Sequence, residues 1–192
     1  MATVILLHSA LGLTRHVHDW ADAFREDGHA VETPDMFGGE TFRDLDTATA
    51  FVDAEGGPPA FVHAVASQMH DVDGPVVFAG FSLGGAVAEI LAFTRADAAG
   101  LVVMHGTLSP AWFGVDTWPA GLRAQHHYMA DDPWVEDDER EAFAALAGDA
   151  LEEFVYPGDA HLFAFEGWRE YDAEASHRLY ERVTEFVSEF DG

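Results

Sequence analysis

The sequence contains no cysteine. That excludes a disulfide framework, a cysteine-ligated metal site and a thiol nucleophile. It contains no lysine either: all nine basic residues are Arg, set against 35 Asp plus Glu, for a formal net charge of -26. A phosphate loop built on lysine is therefore absent. A surface this acidic repels nucleic acid and anionic membranes alike. No stretch approaches the ~20 apolar residues that a membrane-spanning helix needs. The amino-terminal MATVILL has no basic leader and only a short apolar run, which fits a buried strand better than an export signal. These absences lead to the expectation of a cytoplasmic protein, monomer or homodimer, whose partner is a small molecule.

What is present fits a packed protein. The 192 residues suit one domain, spanning 1–192, and 48% of them are apolar. Short apolar strands alternate with helical stretches. Strands are expected at residues 4–8, 29–33, 76–79, 101–105, 123–129 and 153–156. Helices are expected at about 15–27, 42–55, 58–70, 83–95, 136–147 and 172–190. Residues 106–121 have no clear period and read as a loop beside the functional face. Such alternation implies crossover connections and a mainly parallel sheet covered by helices on both faces. Ligand sites in such α/β folds lie at the carboxyl ends of the strands.

The strongest motif, Gly80-Phe81-Ser82-Leu83-Gly84, follows one of those strands and opens a helix. Gly-x-Ser-x-Gly in that setting is a nucleophile elbow. Its glycines let strand and helix approach closely, and the strained turn lifts the Ser82 hydroxyl above the sheet. With 18 Gly and 6 Ser in the chain, chance gives about 0.05 such motifs.

A serine nucleophile needs a base and an orienting acid, in chain order Ser, Asp or Glu, His. His161 lies in YPGDAHLF, just after the last strand, where the base belongs. His177 falls inside the terminal helix, and His126 and His127 lie within a strand ahead of any suitable acid. Asp131 and Asp132 follow the strand at 123–129 and either could orient the imidazole. Asp159 is too close to His161 in sequence and reads as a turn residue. The oxyanion donors expected are the Leu83 amide and that of Ala10 or Leu11 in the first loop. Phe37, His105, Trp112, Trp134, Phe163 and Phe165 are the expected pocket residues, with Trp118 also near the site. His16-x-His18 and His126-His127 lack the spacing of a metal helix, so no metal or cofactor is expected.

Together these segments resemble the dienelactone hydrolase family, a compact branch of the α/β-hydrolases. The resemblance runs through VILLHSALG (4–12), TPDMFGG (33–39), GFSLGGA (80–86), ADDPWV (130–135), YPGDAHLF (156–163) and ERVTEFV (181–187). It implies an α/β-hydrolase fold without a large cap domain, and it places the acid on Asp132. The founding enzymes of the family use cysteine where this chain has Ser82, and hold it with a first-loop glutamate that HSALGL lacks. They bind a substrate carboxylate partly through an arginine four residues after the histidine, and here that residue is Phe165. The resemblance therefore implies a neutral or more apolar ester or lactone as substrate. The expected chemistry is hydrolysis through a Ser82–Asp132–His161 triad and an acyl-enzyme. Acyl transfer by the same triad and a non-catalytic binding protein are the alternatives.

The acidic surface reads as a solvated skin of the kind a salt-adapted or high-GC organism produces. At -26 the folded state repels itself, and salt screens that repulsion over a Debye length of ~10 Å at 0.1 M. The melting temperature is expected to rise with KCl from low to molar concentration; a flat or falling trend would contradict salt adaptation.

Overall fold

The computed structural model describes residues 2–190. Strands β1 (Thr3–Leu7), β2 (Ala30–Glu32), β3 (Val76–Phe81), β4 (Ala98–Met104), β5 (Arg123–Met129) and β6 (Leu151–Tyr156) form a six-stranded sheet. Its order is β2-β1-β3-β4-β5-β6, and every neighbouring pair is parallel. Burial follows position. All of β3 is buried, while the edge strand β2 buries only Val31 and β6 only Tyr156. Central strands covered on both faces read as continuous apolar runs, and edge strands do not.

The helices are α1 (Arg15–Glu26), α2 (Leu45–Glu55), α3 (Val62–Gln68), α4 (Leu83–Thr94), α5 (Asp137–Ala147) and α6 (Ala173–Ser188). The chain leaves β1 toward β2 and returns to the other side of β1 as β3. Right-handed crossovers therefore place α1 on one face and the following helices on the other. Helix α6 joins α1: Trp20 and Phe24 of α1 pack against Tyr180 of α6, with ring centroids 5.3 Å apart in both pairs. On the other face Trp118 sits between Phe93 of α4 and Phe143 of α5. Among the described residues no helix is long and apolar enough to cross a membrane.

The elements follow the sequence pattern with local differences. Helix α2 starts at Leu45, where Asp44 caps the Thr47 amide, and not at Phe42. Phe42 instead donates its N–H to the Leu11 carbonyl and belongs to the loop beside β1. The stretch expected as one helix over 58–70 opens with a tight 3-10 turn, Pro58–Phe61, before α3. A similar turn, Pro110–Phe113, sits in the 106–121 loop. Strand β3 runs two residues further than its apolar core suggests, into the elbow itself.

That extension brings three backbones together. A Cβ on Gly80 would fall on the Gly84 carbonyl, and one on Gly84 would fall on the carbonyls of Leu7 and His8. Only glycine permits this approach of β3, α4 and the end of β1. Gly84→Ala is expected to destabilise the fold by about 3 kcal/mol through overpacking against backbone. Urea unfolding measures this, and an unchanged midpoint would mean that α4 can move away freely.

Candidate active site

The sheet order reverses between β1 and β3, so the loops leaving their carboxyl ends diverge and open a crevice. Ser82 occupies the turn from β3 into α4. Its φ is 53° and that of His105, just after β4, is 66°; among the described residues no other non-glycine has a positive φ. A side chain in this region carries backbone strain, and such strain gathers at functional sites. The Ser82 amide still donates to the Met104 carbonyl at 2.7 Å, which ties the turn to β4.

The loops after β5 and β6 are laced to each other. The Ala130 amide donates to the Tyr156 carbonyl at 2.8 Å and the Asp131 amide to the Gly158 carbonyl at 2.9 Å. This lacing sets Asp132 against His161. Of the adjacent aspartates, Asp131 contributes its amide and leaves its side chain exposed, while Asp132 is buried. Asp132 Oδ2 accepts from His161 Nδ1 at 2.9 Å, and Asp132 Oδ1 accepts from the Trp134 amide at 2.9 Å. With Nδ1 protonated, His161 Nε2 is an acceptor, and the Ser82 hydroxyl donates to it at 2.8 Å. The Trp134 ring leans over the imidazole, centroids 5.4 Å apart.

Beside Ser82 lies an open cavity of about 190 Å³. Leu83 and Ala86 of α4, Ala10 after β1, and Val52 and Pro58 line its apolar wall, with Trp134 at the rim. Gly106, Thr107 and Leu108 form the side facing β4. Leu83 and Ala10 both line this space. Leu83 is the first residue of α4, where an N–H has no intrahelical carbonyl. In the first loop the Leu11 amide is engaged by Ser9 Oγ at 3.2 Å, and that of Gly12 by the Ser9 carbonyl at 3.0 Å. Ala10 lines the cavity and Leu11 does not, so Ala10 is the residue of that pair beside Ser82.

Several residues expected in the pocket lie elsewhere. Phe37 packs into an aromatic cluster with Phe42, Phe51 and Phe61, and its ring meets His8 edge-on. Phe163 and Phe165 are fully buried beneath the site, against His105 and Phe81. Trp112 is 73% exposed and donates to Glu139 Oε1 at 2.7 Å, away from the cavity. Trp118 belongs to the packing between α4 and α5. In each case aromatic packing partners set the position, and a loop assignment does not reveal them. Of the expected pocket residues, His105 and Trp134 do line the cavity.

Burial favours the neutral form of four other imidazoles. Burial, with His161 nearby, pushes the His105 pKa well down, and neither ring nitrogen has a partner. Burial also lowers His8, His126 and His127. His8 Nδ1 donates to the Ser9 carbonyl at 2.8 Å, and its Nε2 accepts from the Met36 amide at 3.0 Å. That neutral tautomer pins the loop carrying Ala10 to the loop after β2. His177 is exposed beside Glu181 on α6, far from this geometry.

Sequence reasoning missed Glu89, the one charged residue type in the otherwise apolar α4; that incongruity was the available signal. Glu89 is fully buried behind the cavity wall. Its Oε1 accepts from Thr107 Oγ1 at 2.6 Å and from the Leu108 amide at 3.2 Å. Glu139 holds the same loop from α5 by accepting from the Ser109 amide and Trp112. Two carboxyl groups thus fasten the side of the cavity that follows β4.

A six-stranded parallel sheet with a serine elbow at its switch point, followed by acid and histidine loops, defines an α/β-hydrolase. The chain belongs to the dienelactone hydrolase family, which it matches over residues 1–191, and it is a hydrolase of ester bonds. No curated protein matches it in sequence. Among solved structures it is similar to a dienelactone hydrolase-like promiscuous phosphotriesterase from metagenomic libraries, at 25% identity and a TM-score of 0.77, covering 99% of this chain and 87% of that one. It also shares its fold with a cold-adapted esterase from an Arctic intertidal metagenomic library, at 18% identity and a TM-score of 0.66, covering 94% and 82%. Mouse alpha/beta hydrolase domain-containing protein 10 has the same fold, at 14% identity and a TM-score of 0.70, covering 97% and 90%.

Burial pushes the Glu89 carboxyl up to about 8 from an ordinary 4.5. Between those values the unfolded chain has released the proton and the folded protein still holds it. Stability therefore falls as pH rises through that window, by up to about 1.4 kcal/mol per unit from this group. Glu89→Gln is expected to flatten that fall in urea unfolding across the window. The same slope in wild type and variant would show that the carboxyl ionises normally.

Proposed function

We propose that the protein hydrolyses small esters or lactones through Ser82, His161 and Asp132. One observation carries the reading: the Ser82 hydroxyl lies 2.8 Å from His161 Nε2 while His161 Nδ1 lies 2.9 Å from Asp132. Ser82 Oγ attacks the acyl carbon as its proton passes to His161 Nε2. Asp132 holds the ring in the acceptor tautomer and stabilises the imidazolium. The amides of Leu83 and Ala10 receive the tetrahedral oxyanion, each worth about 3–4 kcal/mol of barrier by analogy with other hydrolases. His161 then protonates the leaving alcohol, and the same sequence run with water releases the acid and restores Ser82.

The cavity supports a short, largely apolar acyl or alcohol group. Its volume of about 190 Å³ and its Leu83, Ala86, Val52 and Pro58 wall favour small substrates. With Phe165 buried where the family's founding enzymes carry an arginine, no guanidinium lines the cavity to bind a substrate carboxylate.

Ser82→Ala is expected to lower kcat/KM on short p-nitrophenyl esters and lactones by at least about a thousandfold. It should also abolish labelling by a fluorophosphonate. Activity surviving the substitution would remove Ser82 from the reaction. Wild-type protein that neither labels nor turns over esters would point to a binding protein. Product partition toward an added alcohol or amine would identify acyl transfer.

A further inference from the structure

The cavity beside Ser82 has an electrostatic asymmetry. Asp53 is the sole Asp, Glu or Arg side chain among its lining residues, and the only other titratable ones are His105 and His161. Asp53 is exposed on the last turn of α2, and its side chain has no hydrogen-bond or ion-pair partner among the described residues. That turn is also a helix carboxyl end, which carries partial negative charge, and it has no basic residue to offset it. None of the nine arginines lines the cavity, and Arg95, Arg140 and Arg178 are paired elsewhere with Asp97, with Asp137 and Glu153, and with Glu174. Trp134, 45% exposed, also lines the cavity, and an aromatic ring attracts a cation placed over its face.

We propose that Asp53 is a specificity residue that makes this site favour esters bearing a positively charged, ammonium-type group. The inference rests on the Ser82 hydrolase reading and names its substrate class. A cation bound about 6 Å from one carboxylate in a partly solvated cavity gains about three- to tenfold in affinity. The overall charge of -26 adds a long-range attraction that salt weakens.

The test uses matched pairs that differ only in charge. For turnover these are 2-(trimethylammonio)ethyl acetate and its neutral isostere 3,3-dimethylbutyl acetate. For binding they are (4-oxopentyl)trimethylammonium and 6,6-dimethylheptan-2-one. The expected cation-to-neutral ratio is about three to ten in kcat/KM and in affinity at low salt, falling toward one in 0.5 M KCl. Asp53→Asn should lower the ratio clearly toward one, and Asp53→Lys should lower it further. A ratio near one in the wild type, or one that Asp53→Asn leaves unchanged, overturns the proposal. The ketone pair separates the two readings: a cation preference in binding that depends on Asp53, without ester turnover, sustains charge selection and defeats the hydrolase reading. Turnover of both esters at equal efficiency does the reverse.

Discussion

The close approach of three backbones at the elbow is the constraint on which the site depends. Gly80 and Gly84 let β3, the start of α4 and the end of β1 meet without intervening side chains. Ser82, between them, is forced into a positive φ, and the strain is held in place by the ladder bond from its amide to Met104. The same compression brings the loop after β1 alongside the first amide of α4. A hydroxyl, an unpaired helix amide and a neighbouring loop thus converge because the chain has no room to do otherwise. Rigid packing of this kind places reacting groups more accurately than flexible loops can.

Around that point the protein keeps its buried ionisable groups neutral unless they are paired. His8, His105, His126 and His127 are held uncharged by burial, and Glu89 keeps its proton for the same reason. An isolated ion in such surroundings is costly. His161 and Asp132 are instead hydrogen-bonded to each other, Nδ1 donating to Asp132 Oδ2 at 2.9 Å. The Asp132 carboxyl thus lies closer to His161 than any acidic side chain lies to His8, His105, His126 or His127 among the described residues. The low-polarity setting thus separates one imidazole from the rest.

The acidic exterior and the cavity are connected. Asp53 belongs at once to the negatively charged surface and to the cavity wall, so the charge reads as more than a solvated skin. Phe165 is apolar and fully buried, and no arginine is among the residues that line the cavity.

The period of apolar residues and the elbow motif determined the order of elements, the parallel sheet and the turn that carries Ser82. Alternation demands crossovers, and Gly-x-Ser-x-Gly after a buried strand has few other uses. The positions of the loops that carry Asp132 and His161 were also legible, since both follow strands. Asp131 and Asp132 were equivalent on local sequence, and the family resemblance pointed to Asp132; the lacing of the β5 and β6 loops is what turns that side chain inward. Likewise Phe37, Phe163, Phe165 and Trp112 were indistinguishable from pocket residues until their ring partners were known. Asp53 and Glu89 gained their significance from neighbours far away in the chain. Local periodicity reports which face of an element is buried, whereas the contents of a cavity depend on which distant loops fold over it.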